Sequence, residues 1–295
     1  MILKENLRSI VKSQKDDLAL LEEGIEREAL EQIDIRIPFA LVLSGIRRCG
    51  KSTLLRQLMK KVKGHYYFNF EDPRTVNLEI SDFQKMDDIF LEEYGKQDYY
   101  FFDEVQNLVK WELIVRALLD KNKHVIITGS NASLLSKELG TKLTGRHIRY
   151  ELYPFSFGEF LTLINQKPSL GSFEEYFTKG GFPEYLKIKR AEILQELLND
   201  IITRDIAIRY KIRNLKIIKE MALYLLTNIG KEFSYNTLKK IFNLGSVNSA
   251  ISFVSYFQDS YLLFTIPKFD YSLKKQLINP KKVYSIDNGL SSTNS

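Results

Sequence analysis

The apolar run Phe39-Ala40-Leu41-Val42-Leu43 leads directly into Gly45-Ile46-Arg47-Arg48-Cys49-Gly50-Lys51-Ser52. Residues 53–62 follow, with apolar side chains at helical spacing. A buried strand, a glycine loop and a helix in that order leave few folds open. Glycines let the backbone curl so that successive N–H groups face an anion, and the helix N-terminus adds partial positive charge. The spacing Gly-x4-Gly-Lys-Ser is that of a phosphate-binding loop. Lys51 is placed for β/γ-phosphates and the Ser52 hydroxyl for Mg²⁺. Gly45, Arg48, Cys49, Gly50, Lys51, Ser52 and Thr53 are therefore the expected nucleotide-binding residues.

A second stretch supplies acids. Tyr99-Tyr100-Phe101-Phe102 reads as a buried strand and ends in Asp103-Glu104. In open α/β sheets, ligands sit at that C-terminal edge. Asp103 is expected to hold Mg²⁺ together with Ser52, and Glu104 to polarise an attacking water. A third strand, His124-Val125-Ile126-Ile127, ends in Thr128-Gly129-Ser130-Asn131. Asn131 or Ser130 is a candidate sensor of the γ-phosphate, with turn formation the alternative. Arg146 precedes a β-like stretch over 147–152 and is a candidate arginine finger. A solvated loop arginine is the other reading. Glu104, Arg146 and Asn131 are thus the catalytic candidates. No Asn/Thr-Lys-x-Asp pattern for reading guanine occurs, which favours ATP.

SGIRRCGKSTLL, YYFFDEVQN, IITGSNASLL, LTGR, YPFSFGEFL and GGFPEYL, in that order, resemble a group of archaeal and bacterial AAA-type ATPases. In that family the ATPase module is followed by a winged-helix region and often by a nuclease-like domain. The resemblance implies an ASCE-type parallel sheet with the Asp-Glu strand beside the phosphate-loop strand. It gives Lys51 and Ser52 the Walker-A roles, Asp103 and Glu104 the Walker-B roles, and Arg146 the finger. The family's Ile-Asp-x-Gly-Leu element is found at 286–290, with five residues after it, so nuclease chemistry is not expected of this chain.

The expected fold class is α/β: a P-loop NTPase of ASCE/AAA type, its parallel sheet flanked by helices, followed by a mainly helical linker and a winged-helix domain. The expected divisions are a helical prefix at 1–37, an ATPase core at 38–165, a linker or lid at 166–213 and a winged helix at 214–290. The last rests on helical spacing over 215–229, Ser234 capping a helix at 235–242, and Ser246 capping another at 247–258. Strands at 261–266 and 282–286 complete it. Val247, Ala250, Ile251, Phe253, Val254 and Phe257 are expected in its core. The run 204–213 reads as charged and solvated, with the lining of an ATP-dependent interface as the alternative.

Residues 201–295 hold 14 Lys+Arg against 6 Asp+Glu, whereas the rest of the chain is slightly acidic. A local basic surplus is a footprint of duplex DNA contact, although solvated lysines give the same count. The helix over 247–258 offers no arginine or lysine for base readout. A lid or protein-docking role therefore stands beside DNA binding. Self-association, with the finger acting in trans, is a further expectation.

The charged N-terminus argues against a secretory leader, and no apolar run approaches the roughly 18 residues of a membrane span. A single cysteine suits a reducing cytoplasm, and alkylation of Cys49 is expected to block ATP. Two functional classes follow: an ATP-hydrolysing switch, or a nucleotide-regulated binding module with little or no turnover.

Overall fold

The computed structural model describes residues 2–130, 143 and 145–294. They fall into two compact units, one of Met1–Ser44 with Gly50–Leu152, the other of Gly45–Cys49 with Tyr153–Ser295.

The first unit opens with α1 (Lys4–Leu20) and α2 (Ala29–Gln32), followed by β1 (Ala40–Ser44), α3 (Lys51–Met59) and β2 (Tyr66–Asn69). It continues with α4 (Phe83–Tyr94), β3 (Tyr99–Asp103), α5 (Trp111–Asp120), β4 (His124–Gly129) and β5 (His147–Glu151). The strands form one parallel sheet in the order β2-β3-β4-β1-β5. Every residue of β1 is buried, because helices cover both faces of a parallel sheet and leave no room for alternation. Leu7, Ile10 and Val11 of α1 pack with Phe68, Phe90, Phe102 and Trp111 in the core. Tyr66 and Phe90 stack at 4.8 Å. Each such fully buried large side chain contributes about 1.5–3 kcal/mol. The charged face of α1 is used as well: Arg8 pairs with both Glu92 and Glu93 on α4.

The sheet order corrects one expectation. The Asp-Glu strand is not beside the phosphate-loop strand, because β4 lies between them, paired in parallel with each. Two strand spacings, about 10 Å, therefore separate β1 from β3. β4 ends in Thr128 and Gly129.

In the second unit, α6 (Phe157–Ile164), α7 (Leu170–Lys179), α8 (Pro183–Ile188) and α9 (Glu192–Asp200) run into a π-helical stretch, Ile201–Ile208. Then come α10 (Leu215–Thr227), β6 (Glu232–Phe233), α11 (Tyr235–Ile241), α12 (Val247–Asp259), β7 (Leu263–Pro267), α13 (Leu273–Ile278), β8 (Lys281–Ser285) and α14 (Asn288–Thr293). β6, β8 and β7 make an antiparallel sheet in that order. Ser234 and Ser246 cap α11 and α12 as their sequence implies, each hydroxyl accepting a backbone N–H three residues on at 3.1 Å. Ala250, Val254 and Phe257 are buried, but Ile251 of the expected core is 41% exposed because it falls on the outer face of α12. The run 204–213 is not uniformly solvated either. Asp205 is 3% exposed, turned inward by the π-helical winding.

Two distant glycine motifs meet in this unit. The Asp287 carboxylate accepts the N–H of Gly181 at 2.6 Å and that of Leu290 at 2.9 Å, capping α14. A Cβ at Gly180 would overlap that carboxylate, and one at Gly289 would overlap the Lys179 carbonyl. Gly-Gly at 180–181 and Asp-x-Gly-Leu at 287–290 are thus the two halves of one packed junction.

Candidate functional site

Gly50 immediately precedes α3 at φ +100°, a left-handed conformation that a glycine adopts without strain. Lys51 opens the helix and is 4% exposed. Its Nζ lies 3.9 Å from Glu104 Oε1. The Ser52 hydroxyl, one residue on, hydrogen-bonds Asp103. Four residues chosen on sequence grounds, from two elements about 50 residues apart, are therefore brought together.

Asp103 is 3% exposed at the end of β3. Burial pushes its carboxyl above the usual range and the neighbouring Glu104 adds to that; Thr128, Ser52 and Lys51 act the other way. Burial of this kind is unfavourable for a carboxylate, and the Thr128 and Ser52 hydroxyls and the Lys51 ammonium offset part of it. Glu104 takes a left-handed backbone conformation (φ 49°, ψ 47°), which sets its side chain apart from the strand direction. Its N–H donates to Thr128 Oγ1 at 2.8 Å, and that hydroxyl donates to Asp103. Thr128 thus bridges the two acids from β4, the strand inserted between them and the loop.

Ser130 is buried, and its Oγ lies 3.5 Å from Gln106 Nε2, which also donates to Glu104. Asn131 lies outside the described residues. Arg146 does not join the site of its own chain. It precedes β5 at the N-terminal edge of the sheet, opposite the loop, and pairs with Asp120 at 2.5 Å. Asp72, near the end of β2, serves a turn: it caps Pro73–Thr75 and pairs with Arg74, which holds its carboxyl down at about 2.

Residues Gly45–Cys49 of the loop group with the second unit. There Arg47 makes a two-pronged ion pair with Asp205, Nε to Oδ2 at 3.1 Å and Nη2 to Oδ1 at 3.2 Å. Arg48 faces Glu184 at 3.3 Å and Asp200 at 3.5 Å. Cys49 is fully buried, which shields its thiol from alkylating reagents in the folded state.

Sequence reasoning missed Thr128, Gln106, Arg27 and Tyr67. Arg27 is 3% exposed in an irregular stretch, its N–H held by Gln57 of α3 at 3.2 Å. Its Nη1 stands 2.8 Å from where a Cβ on Gly50 would be. Burial, and then the charge of Asp103, pushes the Tyr67 hydroxyl up.

A parallel β2-β3-β4-β1-β5 sheet, with a phosphate loop and an acid pair at its C-terminal edge, defines an AAA-type P-loop domain. Comparison with known proteins agrees. An AAA domain family matches residues 38–161, and a domain of unknown function (DUF8612) matches 170–294. An uncharacterized protein of Haemophilus influenzae is 32% identical over 273 residues, 85% of this chain and 68% of that protein. An uncharacterized protein of Methanocaldococcus jannaschii is 37% identical over 270 residues, 83% of this chain. The chain spans 60% of that protein's length. A Walker-type ATPase of Pyrococcus abyssi shares the fold, with TM-score 0.53 at 16% identity over 94% of this chain and 99% of that one. The chain belongs to the family of the Haemophilus influenzae relative, and its residues 38–161 match the AAA domain. Among the described residues, no helix is long and apolar enough to cross a membrane.

Proposed function

We propose that the chain binds ATP with Mg²⁺ and hydrolyses it, and that its nucleotide state is coupled to a winged-helix domain formed by residues 214–290. The observation that carries this is the convergence of Lys51, Ser52, Asp103 and Glu104 at one sheet edge. The donor set suits Mg²⁺. Ser52 and Asp103 offer hard oxygen ligands, and among the described residues no cluster of three or more His, Cys, Asp or Glu builds an all-protein cage. Mg²⁺ is held by one or two carboxylates, waters and substrate phosphates. When bound, it neutralises charge on the phosphates.

Lys51 sits against Glu104 here. On nucleotide binding its ammonium turns to the phosphates, and Glu104 is left to take a proton from water. The Arg47–Asp205 pair supports the coupling, because it ties a loop side chain to a helical stretch that leads into α10. The order α10, β6, α11, α12, β7, α13, β8 supports the winged-helix reading, with the short α13 set between the two wing strands. Its α12 exposes Asn248, Ile251 and Ser255 and no cation, which favours docking over base readout. Backbone contact with duplex DNA through Lys239, Lys240 and Lys282 predicts affinity that falls steeply with salt.

The test is Mg²⁺-dependent ATP turnover at several protein concentrations, with Lys51→Ala beside it. Turnover that rises with concentration and vanishes in the variant supports hydrolysis with Arg146 acting on a neighbouring copy. Binding without turnover under every condition leaves the nucleotide-gated binding module.

A further inference from the structure

Gln106 lies two residues past Glu104 in the short turn Val105–Asn107. Its Nε2 donates to Glu104 Oε2, and Ser130 Oγ is 3.5 Å away. The other end of the amide is the informative one. Gln106 Oε1 is buried and finds no hydrogen-bond partner among the described residues. Leaving a buried acceptor unsatisfied is unfavourable, and such orphans mark places where water or a ligand atom belongs. This orphan belongs to an amide whose other arm holds the expected catalytic base. A water there has one hydrogen for Gln106 Oε1 and one for the Glu104 carboxylate.

We propose that Gln106 is the second holder of the attacking water: Nε2 fixes the Glu104 carboxylate, and Oε1 accepts a hydrogen bond from the water that Glu104 deprotonates. This rests on the hydrolytic reading above. In the step, the water oxygen forms a bond to the γ-phosphorus while the bond to the β–γ bridging oxygen breaks. The bond's electron pair leaves with ADP. One proton of the water passes to Glu104 and on to solvent, and the other stays on the phosphate formed. The role matches the general need of such reactions, in which little covalent chemistry falls to the protein and positioning of the water dominates.

The experiment measures kcat and KM for MgATP on the full chain and on Lys51→Ala, Gln106→Ala, Gln106→Met, Glu104→Gln and the double variant Gln106→Ala/Glu104→Gln. Gln106→Met keeps the volume without donor or acceptor, so it guards against a packing defect. Both Gln106 variants are expected to lower kcat by about tenfold or more with KM little changed. The double variant is expected to be no slower than Glu104→Gln alone, since both residues act on one water. A kcat that stays level or rises in Gln106→Met overturns the inference and leaves the hydrolytic reading standing. So does a double variant in which the two losses multiply. Absence of turnover in the parent chain overturns both.

Discussion

Asp103 and Asp287 are both carboxylates withdrawn from solvent, 3% and 8% exposed, and burial pushes both upward. Their surroundings differ in kind. Asp103 meets side chains: the hydroxyls of Ser52 and Thr128, the ammonium of Lys51 and a second carboxylate, Glu104. Asp287 meets backbone: the N–H groups of Gly181, Gly289 and Leu290, between glycines that leave no room for a Cβ. Hydroxyls and ammonium groups can turn to a new partner at the cost of a side-chain rotation, whereas backbone amides fixed by a glycine junction cannot. Burial alone therefore does not separate the two carboxylates; the kind of partner does.

Substitutions can break that distinction. The largest expected effect is at Glu104→Gln, which keeps the shape and removes the base. Turnover is expected to fall by about 10²- to 10⁴-fold with nucleotide binding retained, as single-turnover and equilibrium titrations would show. Turnover equal to the parent's would mean that no carboxylate base is at work there. Next is Gly289→Ala, whose Cβ overlaps the Lys179 carbonyl. Such overpacking costs about 1–3 kcal/mol, read as a lowered Tm with the nucleotide affinity of the folded fraction unchanged.

Asp287→Asn is expected to cost about 1–3 kcal/mol, because an amide cannot accept at both oxygens and leaves a buried N–H unpaired. It also carries a pH signature. Burial places the Asp287 pKa higher in the folded chain than in the unfolded one, so protonation favours folding. This contribution is complete below the unfolded carboxylate range and disappears as pH rises through the folded value. The Tm difference between parent and Asp287→Asn is therefore expected to narrow from acid toward neutral pH. A difference that widens instead would place the folded pKa below the unfolded one.

The elements that carry the loop were legible because their signals are local. An apolar run, a glycine spacing and a helical period are each readable within about ten residues, and β1 and α3 fall within three residues of where those signals end. Asp103 and Glu104 were legible for the same reason. The sheet order was not, since strand pairing joins residues tens of positions apart, and Thr128 gains its role only by being paired between two other strands. Gly180-Gly181 reads locally as a chain break; its partner Asp287 lies 106 residues from Gly181 and gives no sign of the contact. Asp205 looked solvated because its neighbours in sequence are charged, and only the π-helical winding turns it inward.

Asp205 sharpens the comparison from a third direction. Like Asp287 it is buried, yet its partner is a side chain, the Arg47 guanidinium of the phosphate loop. If partner mobility marks function, this pair belongs with Asp103 and not with the glycine junction. Asp205→Asn retains one acceptor for Arg47 and removes the charge, so the smallest effect of the series is expected: a nucleotide affinity weakened by at most about tenfold. The variant's Tm without nucleotide should change less than that of Asp287→Asn, because Arg47 is 19% exposed at its side chain and keeps access to water. A large loss of Tm with unaltered affinity would class Asp205 with Asp287. Partner type would then fail as a guide, and the loop would owe only its rigidity to the pair.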